Sequence, residues 1–161
     1  MKNKLLLIII SAVLAIVIIA VGVVFCFRNT GDTIISIGSA KGMAGDTVDI
    51  PLNIDKNKGI WGGQILINYD SDNLSFVSIS NGEIFGQCEA NDTGDCVAIL
   101  ATQLNLENSY SDGNIVTLKF KIKLSANDGV YNLDFNEDTN FCNKDEEMIT
   151  PELVGGKITV K

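Results

Sequence analysis

The chain has 161 residues, with 12 basic and 20 acidic side chains and no histidine. The absence of histidine removes the commonest general base and every Ser-His or Cys-His nucleophile pair, and the net charge of −8 disfavours nucleic acid as a partner. Once an apolar N-terminal segment is set aside, the remaining length suits one domain with a sizeable core.

The first element is an uncharged stretch over residues 5–27. As a helix it would be roughly 34 Å long, which is enough to cross a hydrocarbon core of ~30 Å, and it exceeds the ~7–15 apolar residues of a cleavable signal. Lys2 and Lys4 place the N-terminus in the cytoplasm. We therefore predict a retained single-pass helix within residues 1–28, a linker over 29–33, and an extracellular domain held at the cell membrane.

Residues 34–161 contain short alternating or β-branched runs separated by turn signals, without long helical periodicity. Eight runs are predicted to be strands: 34–37, 47–54, 61–69, 74–79, 97–104, 115–124, 130–135 and 157–160. Strands at short intervals with no helix between them favour a β-sandwich or jelly roll over a βαβ fold. The predicted class is all-β.

The most regular predicted strand, 115–124, carries apolar residues on one face and Lys119, Lys121 and Lys123 on the other. Such lysines either protect a solvated sheet face from aggregation or form a binding patch for an acidic partner. Both interpretations stay open at this point.

Cys88 and Cys96 bracket a polar loop, and an extracytoplasmic location permits a disulfide worth roughly 2–3 kcal/mol. We predict a Cys88–Cys96 bond that leaves Cys142 free. A metal site is not expected, because histidine and the short C-x-x-C spacing are missing. The bulky Phe25 before Cys26 disfavours lipidation of that cysteine.

Two acidic clusters, 55–59 and 134–138, invite a calcium interpretation. In the first, oxygen-bearing side chains alternate, but the twelfth position, where a glutamate would close a calcium loop, is Leu66. We interpret both clusters as solvated loops. Paired carboxylates could in principle hydrolyse glycosides, yet no enzyme signature accompanies them, so we predict a non-enzyme.

Several stretches follow one another in an order that is typical of a known family. They are residues 35–38, the G-x-x-G-D-x-V turn and strand over 42–52, residues 59–61, 65–70 with its Tyr-Asp turn, 74–79, the lysine-bearing strand over 112–122, and the tail segments 129–133 and 155–160. This ordered set resembles the cohesin domain, the receptor module of cellulosome scaffolding proteins. The resemblance covers nearly all of residues 34–161.

The resemblance implies a nine-stranded jelly roll that binds a dockerin module through one flat sheet face. Calcium would belong to the dockerin, so no cofactor is expected on this chain. The implied face consists of Gly62, Gln64, Leu66, Asn68, Leu100, Thr102, Lys119, Lys121 and Lys123. The family often has Asn and Asp where this chain has Gly62 and Gln64, and an acidic residue in place of Thr102, so the class of dockerin is not determined.

Combined with the predicted transmembrane helix, the resemblance implies a membrane-anchored cohesin that displays dockerin-bearing, polysaccharide-degrading enzymes at the cell surface. We expect the chain to be a monomer. The alternative is a carbohydrate-binding module, because such modules share the sandwich architecture. Sugar binding usually needs a row of exposed aromatic rings. Strand parity predicts that Trp61 and Tyr69 point inward, which leaves Tyr110 and Tyr131, too few for a platform.

Overall fold

Alternating and β-branched residues form thirteen strands in the computed structural model, which describes residues 32–161. The strands are β1 (Ile34–Ile37), β2 (Ser39–Gly42), β3 (Thr47–Asp55), β4 (Gly62–Asn68), β5 (Leu74–Asn81), β6 (Gln87–Asp92), β7 (Cys96–Thr102), β8 (Gly113–Ile122), β9 (Gly129–Phe135), β10 (Asn140–Cys142), β11 (Met148–Ile149), β12 (Glu152–Val154) and β13 (Gly156–Val160). The predicted transmembrane helix lies outside the described residues. Within residues 32–161, no helix is long and apolar enough to span a bilayer.

The strands form two sheets. Sheet A has five strands in the order β12-β1-β3-β8-β5. Sheet B has the order β11-β10-β4-β9-β13-β2, with β7 added to β4 and β6 added to β7. The last strands return to the first, since β12 pairs in parallel with β1 and β13 pairs in parallel with β2.

Apolar residues at alternate positions of both sheets form the core. In β3 every second residue from Val48 to Ile54 is buried, while Thr47, Asp49 and Asp55 are exposed. Phe120 of β8 lies in the centre, with its ring centroid 5.2 Å from that of Tyr69 and 5.8 Å from that of Phe76, both in edge-on contacts. Since Tyr69 directly follows a strand of sheet B, the aromatic cluster joins the two sheets.

The predicted all-β sandwich is confirmed, and each of the eight predicted strands is present with its ends shifted by a few residues. The number of strands is thirteen in the described residues rather than nine. Five strands were not predicted. Of these, β10, β11 and β12 have two or three residues, too few to show alternation, and the four-residue β2 contains only one apolar side chain, Ala40. Strand β6 has the polar sequence QCEAND and forms by pairing with β7.

The predicted Cys88–Cys96 disulfide is wrong, because Cys88, Cys96 and Cys142 are all free thiols. Cys88 lies opposite Ala101 in the β6–β7 hairpin, and Ala101 is five residues along β7 from Cys96. At ~3.3 Å per residue the two cysteines are about 16 Å apart along the strand, beyond the ~7 Å limit for a bridge. The short loop in the sequence is thus an extended hairpin.

We expect Phe120→Ala to lower the free energy of unfolding by about 3–5 kcal/mol, because the ring is fully buried between two other aromatic rings. Urea denaturation of residues 30–161 measures this change. Exposed Val77 serves as the control, and Val77→Ala should change stability by no more than about 0.5 kcal/mol. A Phe120 variant as stable as the Val77 variant would contradict this assignment of the core.

We expect thiol labelling of a folded fragment of residues 30–161 to find its three cysteines free, with Cys88 reacting last. Burial raises the pKa of the Cys88 thiol to about 11, so little reactive thiolate exists near neutral pH. Its labelling rate should keep rising with pH toward about 11. Mass spectrometry of labelled peptides assigns each site. Detection of a disulfide-linked Cys88–Cys96 peptide would contradict the prediction of free thiols.

Candidate functional site

Strands β4 and β7 bring six of the predicted binding residues together on one face. They are antiparallel neighbours in sheet B, with Gly62 opposite Thr102 and Gln64 opposite Leu100. Directly opposed residues share a face of the sheet. Ile65 is buried in the core, so the alternate positions point away from the core: Gly62, Gln64, Leu66, Asn68, Leu100 and Thr102. Of these, Gln64, Asn68 and Leu100 are exposed, Leu66 and Thr102 are partly buried, and Gly62 is covered by its neighbours. We call this surface the β4–β7 face.

The three lysines do not belong to this face, so the prediction that they share one surface with Gln64 and Leu66 is wrong. Lys119 and Lys121 lie on β8, which pairs with β3 and β5 in sheet A, and Lys123 follows that strand. Both sheets bury their inner faces against each other, so the outward lysines lie on the opposite side of the sandwich. Alternation shows which residues point outward, but it does not show which sheet a strand joins.

The surroundings of the lysines favour the solvated-face interpretation. Lys119 Nζ lies 3.6 Å from Asp49 Oδ1, in an exposed ion pair across β3 and β8. Lys123 Nζ donates a hydrogen bond to the backbone oxygen of Ser71 in the nearby turn. Exposed pairs of this kind add little stability, while the charge protects a sheet face from pairing with other chains.

Strand β6 extends the β4–β7 face with residues that sequence analysis missed. Glu89 lies opposite Leu100 and Asn91 opposite Ala98, and both are exposed. Gln87 Nε2 donates a hydrogen bond of 2.8 Å to Glu89 Oε1, which holds the two side chains together at the edge of the sheet. The only sequence signal for β6 was its position before the Asn-Asp-Thr-Gly-Asp turn.

Leu100 is the most prominent apolar side chain of the face, with 57% of its surface exposed. Beside it is a shallow cavity of about 360 Å³, lined by Gln64, Glu89, Ala90, Asn91, Ala98, Ile99 and Leu100. Ala98 is small, and the longer side chains around it leave space above its methyl group. A binding partner can cover Leu100 and, at the same time, insert one of its own side chains into the adjacent cavity.

The charge of the face is low and negative. Strands β4, β6 and β7 contain no basic residue, and their carboxylates are Glu89 and Asp92. Tyr69, just past β4, donates a hydrogen bond of 2.9 Å to Asp92 Oδ1. Burial, followed by this bond, raises the pKa of Tyr69 to about 12, so its hydroxyl stays protonated and fastens the hairpin end instead of acting as a base.

Gly63, between two outward residues of β4, lets β10 pair closely with this strand. Its Cα faces the core, where an added methyl group would lie 2.5 Å from Phe141 Cδ1 and from the Asn140 backbone oxygen. The fully packed Phe141 ring thus occupies the space that a side chain would take. This close approach places Asn140 opposite Gln64, next to the β4–β7 face.

The predicted acidic loops do not form a cation site in the described residues, where no group of three or more His, Cys, Asp or Glu side chains could hold a metal. Asn57, in the first cluster, is buried, and its Oδ1 accepts hydrogen bonds of 3.1 Å from the backbone N–H groups of Gly59 and Ile60. Its amide oxygen is thus used to shape the loop.

Aromatic residues are absent from β4, β6 and β7, so the described face offers no ring on which a sugar could stack. Tyr69 is buried as predicted. Trp61 is half-buried, just outside β4, and its indole N–H donates a hydrogen bond of 2.8 Å to the Asn105 backbone oxygen. Tyr131 is also partly covered and bonds to Asn127, which leaves Tyr110 as a solitary exposed ring.

Comparison with known proteins gives a consistent result. A family model for the cohesin domain matches residues 33–160. The chain is 27% identical over 139 residues to cellulosomal-scaffolding protein A of Acetivibrio thermocellus, covering 78% of this chain and 8% of that protein. It is 25% identical over 137 residues to a cellulosome-anchoring protein of the same organism, covering 78% of this chain and 31% of that protein. The chain thus spans less than a third of the length of either relative.

Solved structures share the fold. A type I cohesin–dockerin complex from Clostridium thermocellum superposes with a TM-score of 0.73 at 23% identity, covering 81% of this chain and 100% of that chain. The solution structure of a Clostridium acetobutylicum protein gives a TM-score of 0.74 at 22% identity, covering 81% of this chain and 91% of that chain. The family match extends over nearly all of the described residues, and the chain therefore belongs to the cohesin family.

Proposed function

We propose that this chain is a monomeric, membrane-anchored, non-catalytic cohesin that binds dockerin modules through the β4–β7 face. In this way it would display polysaccharide-degrading enzymes at the cell surface. The family match supports binding of a dockerin, and several solved structures with the same fold are cohesin–dockerin complexes. Calcium would be bound by the dockerin.

The observation that carries this proposal is the exposed Leu100 beside the cavity on a flat sheet face. Interfaces are depleted of charge at their centre and place polar groups at the rim. The face has this composition, because Leu100, Leu66 and Ala98 lie centrally while Glu89 and Asn91 lie at the β6 edge. A rigid two-sheet scaffold also presents these side chains with little ordering cost on binding.

Amide side chains provide the specificity in this proposal. Gln64 and Asn68 face outward from β4, and Asn140 lies across from Gln64. The Asn68 Oδ1 atom already accepts a hydrogen bond from Asn136 Nδ2. The Gln64 side chain makes no hydrogen bond among the described contacts, so its amide can both donate to and accept from a partner. An amide in place of a carboxylate here would select a dockerin with matched neutral hydrogen-bonding groups.

Anchoring is proposed from the sequence alone. The uncharged segment over residues 5–27 lies behind Lys2 and Lys4, and the domain begins only a few residues later. We expect the membrane fraction to contain the chain with its N-terminal segment intact. Intact-mass spectrometry measures this, and a mature chain that starts near residue 28 would contradict the anchor.

We expect Leu100→Glu to weaken dockerin binding by at least about tenfold, because a central apolar contact is replaced by a charge that must be desolvated. Leu66 is only partly exposed, yet Leu66→Glu should weaken binding in the same direction. Isothermal titration calorimetry of residues 30–161 against a panel of calcium-loaded dockerins measures both effects.

The matched control is Val77→Glu, since Val77 is 51% exposed on sheet A, on the opposite side of the sandwich. This variant and Lys119→Ala should bind as the wild type does. Loss of binding in the Val77 or Lys119 variant, with Leu100→Glu unaffected, would assign the interface to sheet A. Saturable binding of residues 30–161 to cellulose or starch, without binding to any dockerin, would instead favour a carbohydrate-binding module.

A further inference from the structure

The loop between β7 and β8, residues 103–112, exposes three large apolar side chains. Leu104 is 74% exposed, Leu106 is 81% exposed and Tyr110 is 66% exposed. Connecting loops normally carry polar residues at such positions, so three exposed large apolar side chains within one ten-residue loop indicate an interaction site. None of the three belongs to the β4–β7 face, so dockerin binding as proposed does not account for them.

The loop backbone is held in place, so these side chains are presented on a defined support. The Gln103 N–H donates to the Trp61 oxygen and the Ser109 N–H to the Ile60 oxygen, both at 2.9 Å. Trp61 Nε1 donates in return to the Asn105 oxygen at 2.8 Å. These bonds fasten the loop at residues 103, 105 and 109, on both sides of Leu104 and Leu106, which lowers the entropic cost of burying the leucines against a partner.

The same end of the sandwich receives the chain from the N-terminal segment. Thr33, directly before β1, is buried, and its Oγ1 donates to the Lys56 oxygen at 3.1 Å. Lys58, two residues further along that loop, donates its backbone N–H to the same Thr33 Oγ1. Asn57 in turn bonds to Ser111 and Asp112 at the end of the leucine-bearing loop. The domain entry point and the loop are therefore neighbours.

The linker limits how far this end can move from a bilayer. Residues 28–33 separate the apolar segment from the first strand, and six residues span at most roughly 21 Å when fully extended. In a membrane-anchored chain, the loop over residues 103–112 is consequently confined near the lipid surface. Confinement raises its effective concentration there, so even a weak contact is populated.

We propose that Leu104, Leu106 and Tyr110 contact the interfacial region of the lipid bilayer and orient the domain on the membrane. This inference rests on the proposed anchoring. Leucine side chains gain free energy on leaving water, and tyrosine favours the level of the headgroups, where its ring is apolar and its hydroxyl hydrated. The bilayer is thus the occupant that suits both kinds of side chain.

Charges around the loop disfavour a second copy as the occupant. Glu107 lies within the loop, and Asn108 Oδ1 accepts a hydrogen bond from the Lys144 N–H, which brings the exposed carboxylates of Glu146 and Glu147 to this end. The Lys144 ammonium is already paired with Asp145 at 2.7 Å, and the Lys58 ammonium lies 3.8 Å from Asp32. The exposed Lys56 is therefore outnumbered by the three glutamates. Two copies would bring like charges together, and for the same reason the contact should be weaker on anionic than on zwitterionic lipid.

Trp61 offers a native probe, because it is the only tryptophan of the chain and it is bonded to the loop. The full chain is reconstituted in phosphatidylcholine vesicles whose acyl chains are brominated close to the glycerol, and bromine quenches the indole emission at short range. We expect quenching in the wild type. In the double variant L104S/L106S the quenched population should fall by about tenfold, since the contact loses two apolar side chains.

The matched control is Leu124→Ser. Leu124 is 83% exposed but follows the C-terminal end of β8, whereas the loop precedes the start of this ten-residue strand. The control should be quenched as the wild type is, and circular dichroism of each variant verifies the fold. Stronger quenching in zwitterionic vesicles than in vesicles with added phosphatidylglycerol would further support the contact.

The outcomes separate the two proposals. A chain that does not float with the vesicles would overturn the anchoring and with it this contact. A chain that floats, but whose Trp61 emission is insensitive to bromine or equally quenched in the double variant, would overturn the contact alone. Emission that instead changes with the protein-to-lipid ratio would assign the loop to a second copy of the chain.

Discussion

The antiparallel register of β4 with β7 is the constraint on which the binding face depends. A slip of one residue would turn Ile65 and Ile67 to solvent and bring Gln64 and Leu66 into the core. Burying four isoleucine and valine side chains across this pair is favourable by several kcal/mol, on the order of 1.5–3 kcal/mol for each fully buried residue. The same burial therefore stabilises the sandwich and determines which side chains a partner meets.

The two sheets share a core but present different chemistry outside. Sheet A exposes lysines that pair with nearby acceptors, as Lys119 does with Asp49. The β4, β6 and β7 portion of sheet B exposes small residues, amides and Leu100, and it has no basic side chain. A partner can therefore distinguish these two sides of the sandwich. The difference lies in the residues of each face. The net charge of the whole chain, −8, does not reveal it.

Short-range patterns in the sequence were sufficient for eight of the thirteen described strands and for which of their residues face outward, since alternation with a period of two is a local property. The membership of each strand in a sheet is a long-range property, and so the lysines of β8 were assigned to the wrong side. Strand β6 was missed because an edge strand with one buried residue, Cys88, has no apolar alternation. The disulfide was mispredicted because Cys88 and Cys96 are close in sequence but lie toward opposite ends of one hairpin.

The parallel pairing of the last strands with the first has a consequence for the order of assembly. Ile34 lies beside Glu152 and Ala40 beside Ile158, so these contacts join residues more than a hundred positions apart. Sheet A cannot complete its pairing until β12 has been synthesised, and sheet B not until β13 has been. Contacts of such high sequence separation slow folding. Strands β1 and β2 therefore have unpaired edges while the rest of the domain is being synthesised. During this interval the chain is most prone to aggregation, because an unpaired edge can pair with another chain.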